Sequence, residues 1–141
     1  MKIGFALPIL LEALAGQSAW GGTAAALAAD GASYVLQAGQ SVLVAPAARL
    51  KLERINDSRC RTGAVCVWAG YISYSFTLRG KSGTSRFVLS DSMPGAASSA
   101  TRQKMTFTLV SVAPQAAPAV DAAAPDYRVT LLVSPVAQHS N

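Results

Sequence analysis

Charged side chains, histidine and cysteine are all scarce in this sequence. Of its 141 residues only 13% are charged, one is His and two are Cys. Because about a quarter of the residues in a globular protein are usually charged, long charged helices are not expected. A zinc site needs three or four ligands, and the single histidine, His139, stands near the C-terminus. The composition therefore predicts no metal site and no cofactor.

Motifs of the common enzyme classes are also missing. The sequence has no Gly-rich phosphate loop, EF-hand loop or nucleophile elbow, and we expect His139 to be solvated. The acidic residues after residue 29 show no motif spacing: Asp30, Glu53, Asp57, Asp91, Asp121 and Asp126. A two-carboxylate glycosidase site stays open, because the sequence does not show which of these acids meet in space. We predict no catalytic residues and a protein that is not an enzyme.

Residues 1–29 have the pattern of a secretory signal peptide. Lys2 supplies a positive start, an apolar run covers 3–14, and Ala26-Leu27-Ala28 fits an A-x-A cleavage site. Cleavage after Ala28 or Ala29 would leave a single domain at 30–141, and Ala13-Leu14-Ala15 offers an earlier cut. The predicted location is the periplasm or the extracellular medium.

Two other interpretations of the N-terminus are weaker. A membrane anchor needs roughly 20 apolar residues, whereas the run at 3–14 is shorter and contains Glu12. Lipid attachment would require Cys directly after Gly16, where the sequence has Gln17. We therefore expect no membrane span after cleavage.

The net charge of the chain is +5 at pH 7. A basic protein can bind nucleic acid, but here the cations are scattered singly and the domain is expected to leave the cytoplasm. An envelope glycan, an anionic polymer or a protein is a more suitable partner. Solubility alone would also explain the charge.

Cys60 and Cys66 are predicted to form a disulfide, because disulfides persist in the compartments that exported proteins enter. A redox-active pair, with Arg59 and Arg61 lowering a thiol pKa, is the alternative. The spacing disfavours it, since thiol oxidoreductases carry their cysteines two residues apart at a helix start. Closing so short a loop contributes only about 2 kcal/mol, so the bond is expected to shape a local loop.

Alternation of apolar and polar residues with period two dominates the chain after residue 30 and is typical of β-strands. Seven runs show it: 33–36, 41–44, 49–55, 67–78, 84–89, 104–112 and 127–133. In the longest run the residues predicted to face the core are Trp68, Gly70, Ile72, Tyr74, Phe76 and Leu78. The pattern predicts an all-β fold, an antiparallel β-sandwich or small barrel of about seven strands.

Several connections between these runs have recognisable signals. Gly39 can adopt a positive φ, which predicts a hairpin or a tight corner between the first two runs. The alternation breaks at Arg54, and a bulge there would return Ile55 to the core. Gly80 and Gly83 indicate a turn after the longest run. Two connections are long, 90–102 and 113–126, and the Ala and Pro content of the second favours disorder.

A motif in the middle of the chain resembles a known family. Asp57-Ser58-Arg59-Cys60, followed by Cys66-Val67-Trp68-Ala69-Gly70, is similar to the signature D-S-R-C-P-x-G-V-x-C-x-W-A-G of small exported bacterial proteins, many of them lipoproteins. Arg61 replaces the usual Pro and Ala64 the usual Val. The family has no established activity, so the resemblance implies export, a disulfide and β structure but no reaction.

Physically, this motif is interpreted as a structural corner, with a binding site as the alternative. Asp57 and Ser58 can accept hydrogen bonds from backbone N–H groups. Trp68 is expected to pack beside the disulfide, and Gly70 leaves room for a neighbouring backbone. Arg59 and Arg61 complete the candidate corner.

Two further hypotheses concern binding surfaces. On the predicted outer faces, Tyr71, Arg86 and Arg128 could form a basic, hydroxyl-rich surface for a glycan or an anionic polymer, although solvated strands commonly carry Ser and Thr. Alternatively, the loop from Cys60 to Cys66 could inhibit an extracellular or periplasmic hydrolase. In that case Arg59 or Arg61 would be presented at a reduced entropic cost.

Overall fold

The computed structural model describes residues 31–137, so the predictions for the leader, Asp30 and His139 lie outside the described part. Eight strands follow in chain order: β1 (Ala32–Leu36), β2 (Ser41–Ala45), β3 (Ala48–Asp57), β4 (Ile72–Gly80), β5 (Gly83–Leu89), β6 (Ser99–Arg102), β7 (Met105–Ala113) and β8 (Arg128–Pro135). No helix occurs between residues 31 and 137. The prediction of an all-β domain is confirmed.

The strands form two four-stranded antiparallel sheets. Sheet A has the order β1-β8-β7-β6 and sheet B the order β2-β3-β4-β5. Both sheets contribute to one buried cluster, so they pack face to face as a β-sandwich. Phe87 of sheet B lies 5.3 Å from Phe76 and 5.0 Å from Phe107 of sheet A, between ring centroids. The contact between Phe87 and Phe107 joins the two sheets within the core, whereas Phe76 and Phe87 stack within sheet B.

The alternation in β4 is confirmed on its inner face. Ile72, Tyr74, Phe76 and Leu78 are all buried. The opposite face is drier than predicted, since Ser73 and Thr77 are buried as well. The reason is that β4 is an interior strand, and Thr77 stands in register between the long side chains of Lys51 and Arg86.

Two predicted local features are also confirmed. The register of β3 against β4 shifts between Leu52 and Arg54, which is the expected bulge, and Ile55 packs against the core. Gly39 has a φ of 87° at a turn between β1 and β2. These two strands belong to different sheets, so the turn is the corner of the sandwich and not a hairpin.

The predicted strand at 67–78 starts too early. β4 begins at Ile72, and Trp68 is 82% exposed instead of facing the core. Strand β3 ends at Asp57, paired with Ile72. Beyond that pair two backbone hydrogen bonds join Ser58 to Tyr71 and Cys60 to Ala69, whereas residues 67 and 68 belong to no strand.

One strand was missed by the sequence prediction. β6 occupies the end of the connection predicted at 90–102, and it pairs with β7 through a two-residue turn, Gln103-Lys104. Both turn residues have positive φ, 49° and 63°, the geometry of a type I′ hairpin that usually carries Asn or Gly. Neither residue is present, and the strand itself, Ser-Ala-Thr-Arg, has little apolar alternation. The sequence thus had no ordinary hairpin signal here.

Candidate functional site

The connection between β3 and β4, residues 58–71, is called here the Cys loop. Its two ends are joined by backbone hydrogen bonds: Ser58 N donates to Tyr71 O at 2.8 Å, and Cys60 N donates to Ala69 O at 3.0 Å. Tyr71 N also donates to the Ser58 hydroxyl at 3.2 Å. The base of the loop therefore continues the β3–β4 ribbon beyond the strand ends.

Gly70 is required where these two ends approach each other. It has a φ of +68°, and a Cβ at this position would lie 2.0 Å from Ser58 O. No L-residue fits there without moving the backbone. The predicted close approach of a neighbouring backbone at Gly70 is confirmed.

Cys60 and Cys66 form the predicted disulfide, with their Cα atoms 5.8 Å apart. The bond closes the Cys loop across six residues of sequence separation. Neither thiol is free. The two ends and the disulfide together fix the loop as a rigid projection from the end of sheet B.

An ion pair anchors the loop to the sandwich. The Arg59 guanidinium donates through Nε to Asp57 Oδ1 at 2.9 Å and through Nη2 to Oδ2 at 2.9 Å. The backbone N–H of Arg59 also donates to Asp57 Oδ1 at 3.1 Å. This is the predicted hydrogen bond from a backbone N–H to the Asp57 carboxylate. The Tyr127 hydroxyl also donates to Asp57 Oδ2. Asp57 is therefore held by a bidentate arginine, a backbone N–H and a tyrosine from the far side of the chain.

This network keeps the Asp57 carboxylate ionised. Hydrogen bonds from Arg59 lower the pKa of Asp57 to about 2, against partial burial, which raises it. The hydrogen bond to Asp57 likewise raises the pKa of Arg59. Burial and the hydrogen bond to Asp57 raise the pKa of Tyr127. Such a carboxylate has no proton to give near neutral pH.

The connection between β7 and β8, residues 114–127, is called here the Ala-Pro loop, and it is hydrogen bonded to the Cys loop. Thr62 N donates to Pro118 O at 3.0 Å, and Val120 N donates to Thr62 O at 3.1 Å. The Thr62 hydroxyl donates to Ala117 O at 3.0 Å. These bonds form a short parallel bridge between Thr62 and Ala119. The loop whose composition favoured disorder thus has specific backbone partners.

Both predicted arginines of the corner serve this docking. Arg59 Nη1 donates to Gln115 O at 2.6 Å. Arg61 Nη1 donates to Ala119 O at 3.2 Å and to Ala122 O at 3.0 Å. Each guanidinium group is therefore hydrogen bonded to backbone carbonyl groups of the Ala-Pro loop.

The tip of the Cys loop is apolar and exposed. Val65 is 103% exposed, Val67 92% and Trp68 82%. No charged residue occurs between Gly63 and Tyr71. Trp68 does not lie in the interior, contrary to its predicted core position. Trp68 and two valines close to it in sequence are thus exposed to water on a loop whose base is hydrogen bonded.

A cleft of about 540 Å³ lies between the end of β3 and the Ala-Pro loop, and its lining includes Glu53, Asp57 and Asp126. Asp57 is already bound by Arg59 and Tyr127. Burial would raise the pKa of Glu53, but hydrogen bonds from Lys51 and Thr77 and the nearby positive charges outweigh it and lower the pKa. Within residues 31–137 no group of three His, Cys, Asp or Glu side chains is placed to hold a metal.

The structure does not bring the predicted basic face together. Arg86 points outward from sheet B, since its neighbour Phe87 is buried, whereas Arg128 belongs to sheet A. Tyr71 lies at the base of the Cys loop. The surface assumed from alternation is therefore split between opposite sides of the sandwich.

Tyr127 was missed as a member of the corner. It precedes β8 by one residue but is 70 positions from Asp57 in sequence, and no local pattern connects them. The only signal was the presence of an aromatic residue at the end of an Ala-rich and Pro-rich segment. That signal does not identify a partner.

Comparison with protein-family models, with curated proteins and with solved structures finds no match to this chain. Among the described residues no helix has the length and apolar character needed to cross a membrane.

Proposed function

We propose that this protein is an exported, non-enzymatic binding module, and that the tip of its Cys loop inserts into an apolar pocket of a protein partner. The single observation that carries the proposal is the nearly complete exposure of Val65, Val67 and Trp68 on a loop with a fixed base. The leader pattern at 1–29 and the disulfide support export to the periplasm or beyond.

The energetics favour such a contact. Burying a large apolar side chain contributes about 1.5–3 kcal/mol, and tryptophan is enriched among the residues that dominate binding interfaces. The disulfide and the docked Ala-Pro loop already hold the tip in place. Less conformational entropy is then lost when it binds.

The charges around the tip favour a protein over an anionic membrane surface. At this end of the sandwich the carboxylates outnumber the cations by four to three: Asp57, Asp91, Asp121 and Asp126 against Arg59, Arg61 and Arg128. Attraction to anionic lipid depends on an excess of cations near the surface. Such an excess is not found beside Trp68.

Site-specific photo-crosslinking in cells that produce the protein tests this proposal. A photoreactive amino acid in place of Val67 should join the chain to one defined partner. Adding Trp68→Ser should reduce that product about ten-fold or more, because the central apolar contact is lost. The matched control is the same photoreactive residue in place of Val110, which is also an exposed valine but lies on β7. A product that forms equally from position 110, or that survives Trp68→Ser, would contradict the proposal.

Tryptophan fluorescence separates a protein pocket from a membrane. After removal of residues 1–29, which contain Trp20, Trp68 is the only tryptophan left in the chain. Neither zwitterionic nor anionic phospholipid vesicles should shift its emission to shorter wavelength. A shift with vesicles alone would replace the protein partner by a lipid surface.

Inhibition of an extracellular or periplasmic hydrolase is the second candidate. A rigid, exposed loop is suited to entering an enzyme cleft, and the hydrogen bonds of Arg59 and Arg61 leave Val65 and Trp68 as the residues that would enter it. Trypsin-like enzymes, which need a free basic side chain, should not be inhibited. If a trypsin-like enzyme is inhibited and Arg61→Ala abolishes that inhibition, the result would support the hypothesis that an arginine of the loop enters the enzyme.

A further inference from the structure

The outer face of sheet B carries most of the positive charge of the sandwich. Five cations point outward from its strands, Arg49, Lys51, Arg54, Arg79 and Arg86, against one carboxylate, Glu53. Within the described strands of sheet A, which are β1, β6, β7 and β8, the only charged side chain on the outer face is Arg128. Arg102 of β6 alternates towards the inner face. The two outer faces differ in charge because different residues alternate outward on each sheet. The net charge of the chain does not reveal this difference.

The strand register arranges these cations in rows that cross the sheet. Each row runs from β3 through β4 to β5: Arg49 with Arg79 and Thr84, Lys51 with Thr77 and Arg86, and Arg54 with Ser75 and Val88. Every row contains at least one cation. Because successive rows are two residues apart, they are separated by about 6–7 Å along the strands. The face is therefore a regular series of positive charges.

This arrangement is not one that stability alone would favour. Arg49 stands directly opposite Arg79, and like charges in that position are destabilising. The single carboxylate, Glu53, pairs with Lys51 at 3.3 Å. The remaining cations of the face have no carboxylate within salt-bridge distance among the described residues.

A groove of about 530 Å³ crosses this face between β3 and β5. Glu53 and Arg54 of β3 line it on one side and Arg86 of β5 on the other, and Ser75 and Thr77 of β4 lie between them. No aromatic side chain points outward from the four described strands of sheet B, since Tyr74, Phe76 and Phe87 are all buried. Stacking of nucleic-acid bases, which uses aromatic platforms, therefore has no support here.

We propose that the outer face of sheet B binds an acidic polysaccharide in an extended conformation across this groove. The arginines would pair with its carboxylates, for which the guanidinium geometry is suited. The partly exposed Ser75 would exchange hydrogen bonds with its hydroxyl groups. This surface is separate from the Cys-loop tip, so the two activities can be tested independently.

Binding of polygalacturonate to the processed protein tests this inference, with the fully methyl-esterified polymer as the uncharged counterpart. The unmodified protein should bind the acid form at low salt and not the ester. Arg79→Gln together with Arg86→Gln should raise the Kd for polygalacturonate about ten-fold, because two exposed charge contacts are lost. The unfolding midpoint of this variant should be unchanged or higher, because the repulsion between Arg49 and Arg79 is relieved.

The matched control is Lys104→Gln together with Arg128→Gln, which removes the same charge outside sheet B. Its Kd should change by less than about two-fold, since it alters only the long-range field. Equal weakening by both double variants would mean that net charge alone attracts the polymer and would overturn the site. No binding by the unmodified protein, or tighter binding to inorganic polyphosphate than to polygalacturonate, would overturn the ligand class. Trp68→Ser should leave the Kd unaltered whether or not the tip binds a protein.

Discussion

At the residue scale, Asp57 is the side chain on which the geometry of the Cys loop depends. It joins the last residue of β3 to Arg59 within the loop and to Tyr127 beside β8. Both Asp57 and Arg59 are largely shielded from water, with 14% and 18% of their side chains exposed. Removing one partner would leave the other charge poorly solvated, so each stabilises the fold only in the presence of the other.

The pH dependence of stability should report this ion pair. The pKa of Asp57 is lowered in the folded state to about 2 from an ordinary value of 3.8. A lowered pKa means that its contribution is complete above about pH 4 and is lost as the pH falls towards 2. We expect this contribution to be about 1–2 kcal/mol after allowance for solvent screening. Urea unfolding at a series of pH values measures it.

Asp57→Asn isolates the effect from that of other carboxylates. At neutral pH the variant should lose about 1–3 kcal/mol, because Arg59 loses its charged partner. Its stability should also fall less steeply between pH 4 and pH 2. Asp121→Asn, an exposed position in the Ala-Pro loop, should retain the profile of the unmodified protein. Identical acid profiles for the unmodified protein and Asp57→Asn would show that the ion pair contributes nothing.

At the element scale, the two irregular loops stabilise each other. The Cys loop supplies Thr62 and Arg61, and the Ala-Pro loop supplies backbone carbonyl groups that accept their hydrogen bonds. An Ala-rich and Pro-rich segment has few side chains able to fix its path, and its backbone groups need external partners. The ordered conformation of the second loop is therefore a consequence of the first.

Removal of the disulfide should loosen this loop pair and leave the sandwich folded. The double substitution Cys60→Ser and Cys66→Ser should lower the free energy of unfolding by about 2 kcal/mol, the amount expected for so short a closed loop. Amide hydrogen exchange should increase at Thr62 and Val120, whose bonds join the two loops, and should stay slow at Phe76 in the core. Faster exchange throughout sheets A and B would mean that the bond supports the whole domain.

At the scale of the whole molecule, the sandwich separates two surfaces of different chemistry. The apolar tip lies at the end where β3 stops and β4 starts, and the basic rows lie on the outer face of sheet B. If both proposals hold, a protein at the tip and an acidic polysaccharide on sheet B would bind at separate places on one small domain.

The proposed export of the chain leads to a prediction about its N-terminus. Protein recovered from the periplasm or the medium should begin at Ala29 or Asp30, because Ala26-Leu27-Ala28 provides the small residues that signal peptidase requires. Mass spectrometry of the intact protein measures this. Lys2→Glu should reduce the amount of processed protein, since it removes the positive start of the leader. Intact chain beginning at Met1 in the cytoplasm would contradict export.

The regular part of the fold was accessible from sequence, and the irregular part was less so. Seven of the eight strands follow from alternation, and the bulge at Arg54 follows from its interruption. β6 was missed because Gln103 and Lys104 adopt a turn that usually needs Asn or Gly. In the corner, Asp57, Gly70 and the disulfide were predicted correctly, whereas Trp68 was placed on the wrong side.

The sequence by itself determined the all-β fold, the inner faces of β3, β4, β5, β7 and β8 and the disulfide, because period-two alternation and two nearby cysteines are local signals. Only the tertiary structure decided that Tyr127 meets Asp57, that Trp68 lies in water and that Arg86 and Arg128 face opposite ways. Alternation shows which residues share a face of one strand, but it does not show which strands share a sheet. Contacts between loops distant in sequence depend on strand order, and strand order is set by the packing of the complete core.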